Sequence, residues 1–320
     1  MKIGIALSSG SAKGWAHIGV LKSLLALGIR PTVVAGCSSG ALVGAAYANN
    51  RLLELEKWAE SMSHLTLMSY LDVNLGRGSL VAGDKLFREL EPYFASLCIE
   101  DLSMSFATVA TDLYRGEEVW FREGDLLNAV RASCAIPGIF SPVKHAQRWL
   151  VDGAIVNPLP VSLCRAMGAD FVIGVDLQSH CFRQVSVPVE IKSLRKTACE
   201  QKQDNKQLGM FTNLLERGKE HLLSVTNRLK SQQDLDMGMV GVMNQSLEIL
   251  EYRHKRTRLM GDPPELCITP EVSHIQAMEF HKAREAIEAG RVAVQDVWHL
   301  LKKELKKELK KELKKDEHLT

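Results

Sequence analysis

The chain has 320 residues, of which 46% are apolar and 24% are charged, and its formal net charge is +2. A chain of this length and apolar content can bury a substantial core, so a globular protein is expected and not a disordered chain. Residues 302–315 hold eight Lys and three Glu, so the rest of the chain is slightly acidic, and this argues against a nucleic-acid-binding protein.

The seven cysteines are scattered, odd in number and never spaced as a CxxC pair. This pattern argues against a disulfide framework or a zinc site. The first residues read directly as a strand, and no window holds the roughly 18 uninterrupted apolar residues of a membrane-spanning helix. We therefore expect a cytoplasmic protein that uses no metal ion or cofactor. Composition does not indicate an oligomeric state.

The first fifty residues predict two consecutive β-turn-α units. Residues 2–7 form an apolar, β-branched run that predicts a strand, and helical periodicity follows over residues 13–27. Residues 32–35 predict a second strand, residues 36–40 a tight turn, and residues 41–48 a helix of small side chains. Two such units in succession are typical of a mainly parallel α/β sheet.

The α/β core is expected to span residues 1–178. Further apolar runs predict strands, and the stretches between them predict helices: strands at 106–111, 119–121, 149–151 and 171–175, helices at 126–134 and 162–167. Residues 179–236 turn polar but keep apolar side chains at helical spacing, which predicts a helical insertion or lid.

Residues 237–300 are expected to complete the domain. They predict a helix over residues 239–252, a strand over 266–269, and a closing helix over 278–301 in which Gly290 is a candidate interruption.

The Lys-rich tail, residues 301–320, repeats the unit KKEL and places a leucine at every fourth position. A stripe at this spacing drifts by about 40° per repeat, so it winds around a helix and does not form a coiled-coil seam. A narrow apolar stripe beside lysines is typical of a helix that lies on a membrane surface. Residues 301–315 thus predict peripheral contact with the inner membrane face, and a solvated charged extension is the alternative.

Residues 36–40, Gly-Cys-Ser-Ser-Gly, form a GxSxG motif between a predicted strand and a predicted helix. This context is that of a nucleophile elbow. Gly36 and Gly40 permit a strained turn that presents a hydroxyl, and the helix N-terminus stabilises negative charge that develops nearby. Ser38 is therefore the predicted nucleophile, and Ser39 is its competitor. A glycine-rich turn that packs a helix on a sheet is the structural alternative.

The loop after the first strand offers backbone N–H groups for an oxyanion hole. It lacks the GK[ST] ending of a phosphate-binding loop and the GxGxxG of a dinucleotide site. An ordinary β-α turn is the alternative. The candidate donors are Gly10, Ser11, Ala12, Lys13 and Gly14.

The segment Asp152-Gly153-Ala154 lies between apolar runs. Asp-Gly is also a strong signal for a two-residue hairpin turn. An aspartate with an ordinary pKa of about 3.9 is a weak base. On these residues alone, a tight turn is the simpler interpretation of Asp152.

The three segments, in this order, resemble the patatin-like phospholipases, and among them the small bacterial members. The glycine-rich oxyanion loop, the GxSxG elbow and the DG[GA] motif of that family fall on residues 9–14, 36–40 and 152–154. The sequence is also similar at residues 132–142 and 157–160. The likeness covers roughly residues 1–178 and is weaker over 239–290. It implies a three-layer αβα fold with a mainly parallel central sheet, here with a helical insertion and a basic C-terminal helix.

The resemblance also implies the chemistry. Ser38 attacks an ester carbonyl and Asp152 takes its proton, and the acyl-enzyme is then hydrolysed by water. The implied function is a serine acyl hydrolase of the phospholipase A or lysophospholipase type, with a lipid ester as substrate. No histidine is required, and we expect His17 to anchor its helix through a hydrogen bond.

One departure from the family concerns the oxyanion loop, which is usually glycine-rich at three successive places. Here these places hold Ser9, Gly10 and Ser11. Two alternatives to a lipid hydrolase stay open: an esterase or thioesterase acting on soluble acyl groups, and a catalytically idle scaffold that binds a lipid or a partner.

Overall fold

The computed structural model describes residues 1–63, 66, 84–94, 97–178 and 239–317. The predicted insertion, residues 179–236, lies outside the described residues. The chain divides into two compact units, one formed by residues 1–182 and 245–320 and the other by residues 183–244. The sheet and the site belong to the first unit.

Both predicted β-turn-α units are present. Strand β1 (Ile3–Leu7) leads through a 3-10 turn into helix α1 (Ala16–Ala26), and strand β2 (Val33–Cys37) leads into helix α2 (Ser39–Ala48). The second strand was predicted to end at Ala35 but runs on to Cys37. Ser38 therefore lies at the junction of β2 and α2.

The remaining strands and helices follow the predicted order, with α3, α4 and β5 as additions that the sequence pattern did not predict. In chain order they are α3 (Leu52–Ser61), α4 (Asp84–Phe94), β3 (Ser105–Asp112), β4 (Glu118–Phe121), α5 (Leu126–Ser133), β5 (Val143–His145), β6 (Arg148–Asp152), α6 (Val161–Ala166), β7 (Phe171–Val175), α7 (Met239–Gly261), β8 (Leu266–Ile268) and α8 (Ala283–Glu317).

The strands form one sheet with the order β5-β6-β3-β2-β1-β7-β8, and β4 also pairs with β3. The pairs β1-β2, β2-β3, β1-β7 and β7-β8 are parallel, while β4, β5 and β6 pair in antiparallel fashion. The sheet is thus mixed and mostly parallel. The carboxyl ends of its parallel strands share one edge, which is where open α/β sheets place their ligands.

Successive side chains along each strand point to opposite faces of the sheet and join different cores. On β1, Ile5 and Leu7 join the larger core with α1 and α2, whereas Ala6 joins a second cluster with α6. Ala6, Ala35 and Ala107 lie side by side on neighbouring strands. Helices therefore cover both faces, and the predicted three-layer αβα fold is confirmed.

Helix α8 runs without a break from Ala283 to Glu317, so the predicted interruption at Gly290 is wrong. Gly290 instead lies where α8 crosses α1. A Cβ atom there would overlap the carbonyl oxygen of Ala16, and one at Gly19 would overlap the carbonyl oxygen of Ile287. The close approach of two helix backbones explains glycine at a position where it costs about 1 kcal/mol relative to alanine.

The predicted tail continues α8, and its leucines do not form a fully exposed stripe. Leu301 is completely buried in the larger core, and Leu305 packs against that core. Lys303, Lys306 and Lys310 are exposed. Within the described residues, no helix combines the length and apolar character needed to cross a bilayer.

Candidate active site

Ser38 occupies the sharp turn between β2 and α2. Its φ of 53° and ψ of −122° are unfavourable for a residue with a side chain. Its N–H donates a hydrogen bond of 2.9 Å to Ser133 Oγ, and its carbonyl accepts from the N–H groups of Ala41 and Leu42 in α2. These bonds hold the strained turn that presents the Ser38 hydroxyl.

Gly36 and Gly40 are required by close contacts on either side of this turn. A Cβ atom at Gly36 would lie 2.5 Å from Ala41 Cα, and one at Gly40 would overlap the carbonyl oxygen of Leu7. The same glycines therefore pack α2 against the sheet and shape the elbow. The motif is both a nucleophile elbow and a glycine-rich turn that packs a helix on the sheet.

Asp152 ends strand β6 with its carboxylate beside Ser38. Its Oδ2 accepts a hydrogen bond of 2.6 Å from Ser38 Oγ, and its Oδ1 accepts one of 2.8 Å from the Ala154 N–H. Its backbone N–H donates to the Ala135 carbonyl, and its carbonyl accepts from Thr111 Oγ1 at 2.7 Å. The fold thus brings the two predicted residues together and fixes the carboxylate.

The DG[GA] motif forms no two-residue hairpin. Residues Gly153–Ile155 make a 3-10 turn that Asp152 caps, so the interpretation of Asp152 as part of a two-residue hairpin turn is wrong. A Cβ atom on Gly153 would overlap the carbonyl oxygen of Val109 in β3. Glycine is therefore needed for the chain to pass this close to the sheet, and Ala154 packs beside Val109.

Burial sets the electrostatics of the pair. Ser38 and Asp152 are each only 3% exposed. Burial and, after it, the negative charge of Glu251 raise the pKa of Asp152 from 3.8 to about 7, against the opposing effect of the hydrogen bonds from Ser38 and Ala154. A carboxylate with a pKa near 7 is a far better base at neutral pH than an ordinary one.

Two buried thiols and one buried imidazole of this region are held neutral. Burial raises the pKa of the Cys37 and Cys134 thiols well above the ordinary value. Burial also lowers the pKa of His17 to about 4, and its Nε2 lies 2.8 Å from the Ser8 carbonyl oxygen. His17 therefore has the predicted anchoring role. Among the described side chains, no three of the His, Cys, Asp and Glu types are grouped as a metal site.

The loop over residues 9–14 passes beside the N-terminus of α2. The Ala12 N–H donates to the Ala277 carbonyl at 3.1 Å, and the Lys13 N–H donates to the Gly10 carbonyl at 3.0 Å. Both amides are thus already engaged. Ser11 has a φ of 49° and lies beside Ser38 in the wall of a pocket.

Gly14 and the side chain of Lys13 make further packing and charge contacts. Gly14 lies against Ser39, where a Cβ atom would overlap the serine side chain. Lys13 is buried, and its Nζ is 3.7 Å from a carboxylate oxygen of Glu248 in α7. Because the Ala12 and Lys13 amides are engaged, the loop amides that remain as candidate oxyanion donors are those of Gly10, Ser11 and Gly14.

Ser38 opens onto an apolar pocket. The helices α3 and α4 supply much of its wall, together with residues that follow α5 and precede α8. Its largest wall side chains are aromatic: Trp15, Trp58, Phe87, Phe140 and Phe280. A pocket of this character binds an apolar group and excludes water from the nucleophile.

Two residues that contact the site were not predicted. Ser133 holds the Ser38 N–H and lies in the stretch at 132–142 that already resembled the family, so its signal was present. Glu251 lies on α7, about 100 residues after Asp152, and accepts a hydrogen bond from Ser9. No local pattern around Glu251 indicates that contact.

Known proteins are similar to this chain in the part that holds the three motifs. A family model described as patatin-like phospholipase matches residues 5–165, which include all three motifs. An uncharacterised NTE family protein of Mycobacterium tuberculosis is 30% identical over 321 residues, covering 91% of this chain and 89% of the relative. Human patatin-like phospholipase domain-containing protein 6 is 34% identical over 185 residues, which cover 56% of this chain and 13% of that protein. Among solved structures, VipD from Legionella pneumophila aligns with a TM-score of 0.42 and 13% identity, covering 92% of this chain and 66% of that chain.

Proposed function

The chain belongs to the patatin-like phospholipase family, and from this premise we propose that it hydrolyses ester bonds of phospholipids or related lipids with a Ser38–Asp152 dyad. Family membership supports a lipid acyl hydrolase in general. The observation that carries the dyad is the 2.6 Å hydrogen bond from Ser38 Oγ to Asp152 Oδ2, with Ser38 in the wall of an apolar pocket.

In the proposed reaction, Ser38 Oγ attacks the ester carbonyl carbon while its proton moves to Asp152 Oδ2. The tetrahedral intermediate collapses to an acyl-enzyme when Asp152 returns that proton to the leaving alcohol. Asp152 next takes a proton from water, which attacks the acyl-enzyme, and the fatty acid leaves as Ser38 is reprotonated. These steps balance with the two side chains alone, so the reaction needs neither a metal ion nor a cofactor.

The negative charge on the substrate oxygen is stabilised by backbone N–H groups. The Ser39 N–H is the first at the N-terminus of α2, the place that a nucleophile elbow uses for an oxyanion. Gly10 and Ser11 supply the second set of donors. Losing one such donor costs about 100-fold or more in turnover in related chemistry.

The apolar pocket favours a substrate with a long acyl chain over a soluble ester. Its wall is formed mainly by aromatic and aliphatic side chains, so it gains free energy from each methylene that it removes from water, about 0.8 kcal/mol per group. We therefore expect p-nitrophenyl palmitate in mixed micelles to have a higher kcat/KM than p-nitrophenyl butyrate. A preference for the monomeric butyrate ester would indicate a general esterase instead.

Fluorophosphonate labelling tests the dyad directly. The wild type is expected to form a covalent adduct at Ser38, which Ser38→Ala abolishes and which Asp152→Asn slows by several orders of magnitude. Ser39→Ala, the matched change one residue away, is expected to keep the adduct. Labelling of the Ser38→Ala variant would refute the assignment, and an unlabelled wild type would favour the idle scaffold.

We also propose peripheral contact with the inner membrane face through residues 301–315. Because Leu301 is buried in the protein and Leu305 packs against its core, this contact is electrostatic and depends on the exposed lysines of α8. Lysines near an anionic surface contribute about 1 kcal/mol each, and salt screens them.

Co-sedimentation with vesicles tests this contact. Changing Lys303, Lys306 and Lys310 to Glu is expected to weaken binding to anionic vesicles by roughly 100-fold or more, and to leave binding to neutral phosphatidylcholine vesicles unchanged. Lys57→Glu, at an exposed position of α3, is the control. Equal binding by the triple variant and the wild type would leave the tail as a solvated extension.

A further inference from the structure

One face of α7 lies against the loops that surround the dyad. Residues 248, 251, 255 and 258 follow each other at intervals of three or four, so they share this face. Lys255 makes a buried ion pair with Asp176, which follows β7, and Arg258 Nη1 lies 2.6 Å from Glu118 Oε1 in β4. These two ion pairs hold α7 against the segment after β7 and against β4. They thereby fix the position of Glu251, which lies one turn before Lys255 on the same face.

Glu251 is bonded to the start of the oxyanion loop. Its Oε2 accepts a hydrogen bond of 3.3 Å from Ser9 Oγ and one of 2.8 Å from Gln178 Nε2. The Ser9 N–H donates to the Pro158 carbonyl at 2.9 Å, so Ser9 is held through both its backbone and its side chain. Gly10 and Ser11 follow directly, and their placement depends on that of Ser9.

Ser9 is also the first of the positions at which the chain departs from the glycine-rich loop of its family. A serine there brings a hydroxyl that needs a partner inside a nearly closed site, since Ser9 is only 3% exposed. Glu251 is that partner. The hydroxyl thereby ties the loop to α7, which an all-glycine loop cannot do.

The Glu251 carboxylate also acts on Asp152 through its charge. After burial, the negative charge of Glu251 is the largest cause of the raised pKa of Asp152. Burial raises the pKa of Glu251 itself, and Glu248 adds to this rise, while the hydrogen bonds from Gln178 and Ser9 and the charge of Lys255 favour its ionised form.

The other titratable groups around this pair lie in the loop, on α7, and at or just after the ends of β7, β2 and α5. Lys13 in the loop pairs with Glu248, and Asp176 after β7 pairs with Lys255. The thiols of Cys37 at the end of β2 and of Cys134 after α5 face Asp152 and stay neutral because burial raises their pKa. Glu251 is thus the charged group whose removal changes Asp152 without breaking either of these ion pairs.

We propose that Glu251 is a positioning residue of the hydrolase: it holds the oxyanion loop through the Ser9 hydroxyl and places a negative charge within reach of the catalytic carboxylate. This inference rests on the proposed function. It assigns two separable effects to one side chain, a geometric effect that passes through Ser9 and an electrostatic effect that acts on Asp152.

Two substitutions in the full-length chain separate these effects. Glu251→Gln keeps an acceptor for Ser9 but removes the charge, so the acid limb of the kcat/KM profile, near pH 7 in the wild type, is expected to move to lower pH by on the order of one pH unit. Ser9→Ala removes the tie to the loop but leaves the charge, so kcat is expected to fall about tenfold or more with the acid limb unmoved.

The assay is hydrolysis of p-nitrophenyl butyrate from pH 5 to pH 9, with fluorophosphonate labelling rates over the same range as a second readout. Glu288→Gln, which removes an exposed carboxylate near the start of α8, is the control and is expected to match the wild type. Thermal unfolding of each variant separates a misfolded protein from a mispositioned loop.

An unmoved acid limb in Glu251→Gln would overturn the electrostatic effect, and normal kcat in Ser9→Ala would overturn the tie to the loop. If Glu251→Gln does not fold, the Ser9→Ala result still decides the loop, and the pH profile of Glu251→Asp decides the charge because it should keep the wild-type limb. A wild type that neither hydrolyses the ester nor reacts with the fluorophosphonate would instead refute the proposed function.

Discussion

Asp152→Asn is expected to make the protein more stable while it abolishes catalysis. The side chain keeps its size, and its Oδ1 can still accept the 2.8 Å hydrogen bond from the Ala154 N–H. What changes is the charge, which the wild type must hold in a buried site. Asparagine removes that unfavourable charge along with the base that takes the proton from Ser38.

The magnitude follows from the pKa of Asp152, which burial and the charge of Glu251 raise from 3.8 to about 7. Because the folded protein holds the proton more tightly than the unfolded chain, stability falls as pH rises from about 4 to 7 and stays lowered above that. At ~1.4 kcal/mol per pH unit, the full effect is about 4 kcal/mol. Reorienting the Ser38 hydrogen bond around an amide costs about 1 kcal/mol of this gain.

Urea unfolding followed by tryptophan fluorescence at pH 5 and pH 8 measures the effect. Asp152→Asn is expected to exceed the wild type at pH 8 by about 3 kcal/mol, and by much less at pH 5, where the wild-type carboxyl is protonated. The control is Asp125→Asn at the exposed N-cap of α5, where asparagine caps as well as aspartate. A gain independent of pH, or a loss at pH 8, would refute the reasoning.

Three further changes have expected outcomes. Gly290→Ala is expected to lower the free energy of unfolding by about 1–3 kcal/mol, because its Cβ overlaps the α1 backbone; Gly261→Ala, which has open space around it, is the control in the same urea experiment. Ser133→Ala leaves the Ser38 N–H without its acceptor and is expected to cost about 1–3 kcal/mol of stability together with part of kcat, whereas unchanged turnover would show that the elbow holds without it. EDTA and EGTA are expected to leave ester hydrolysis unchanged, and a loss that added calcium restores would contradict a metal-free reaction.

The elements near the site were predictable because their signals are local. Strand β7 was predicted at its observed limits, and β1 and β3 were predicted to within a residue or two, since each is a short apolar run bounded by turn residues. The nucleophile elbow was predictable for a related reason. A backbone that turns as sharply as it does at Ser38 needs small residues beside it, and Gly36 and Gly40 appear in the sequence as a motif.

Features that depend on contacts between distant segments were not predictable in this way. Gly290 was interpreted as a helix breaker because glycine lowers helix propensity, yet its role follows from a backbone of α1 more than 270 residues earlier. Leu301 and Leu305 were assigned to a stripe that faces a membrane surface from their spacing alone. Periodicity gives the face of a helix on which a residue lies, but only packing decides what covers that face.

The two central residues of the site are each unfavourable for stability. Ser38 holds a backbone conformation that costs about 1–3 kcal/mol, and Asp152 holds a buried carboxylate. Both are kept in place by groups outside the three motifs, among them the Ser133 hydroxyl and the Thr111 hydroxyl. The GxSxG and DG[GA] motifs therefore locate the nucleophile and the base, because the backbone beside each of them requires glycine. The pKa that makes Asp152 an effective base near neutral pH is set by burial and by Glu251, and both depend on the fold of the whole domain.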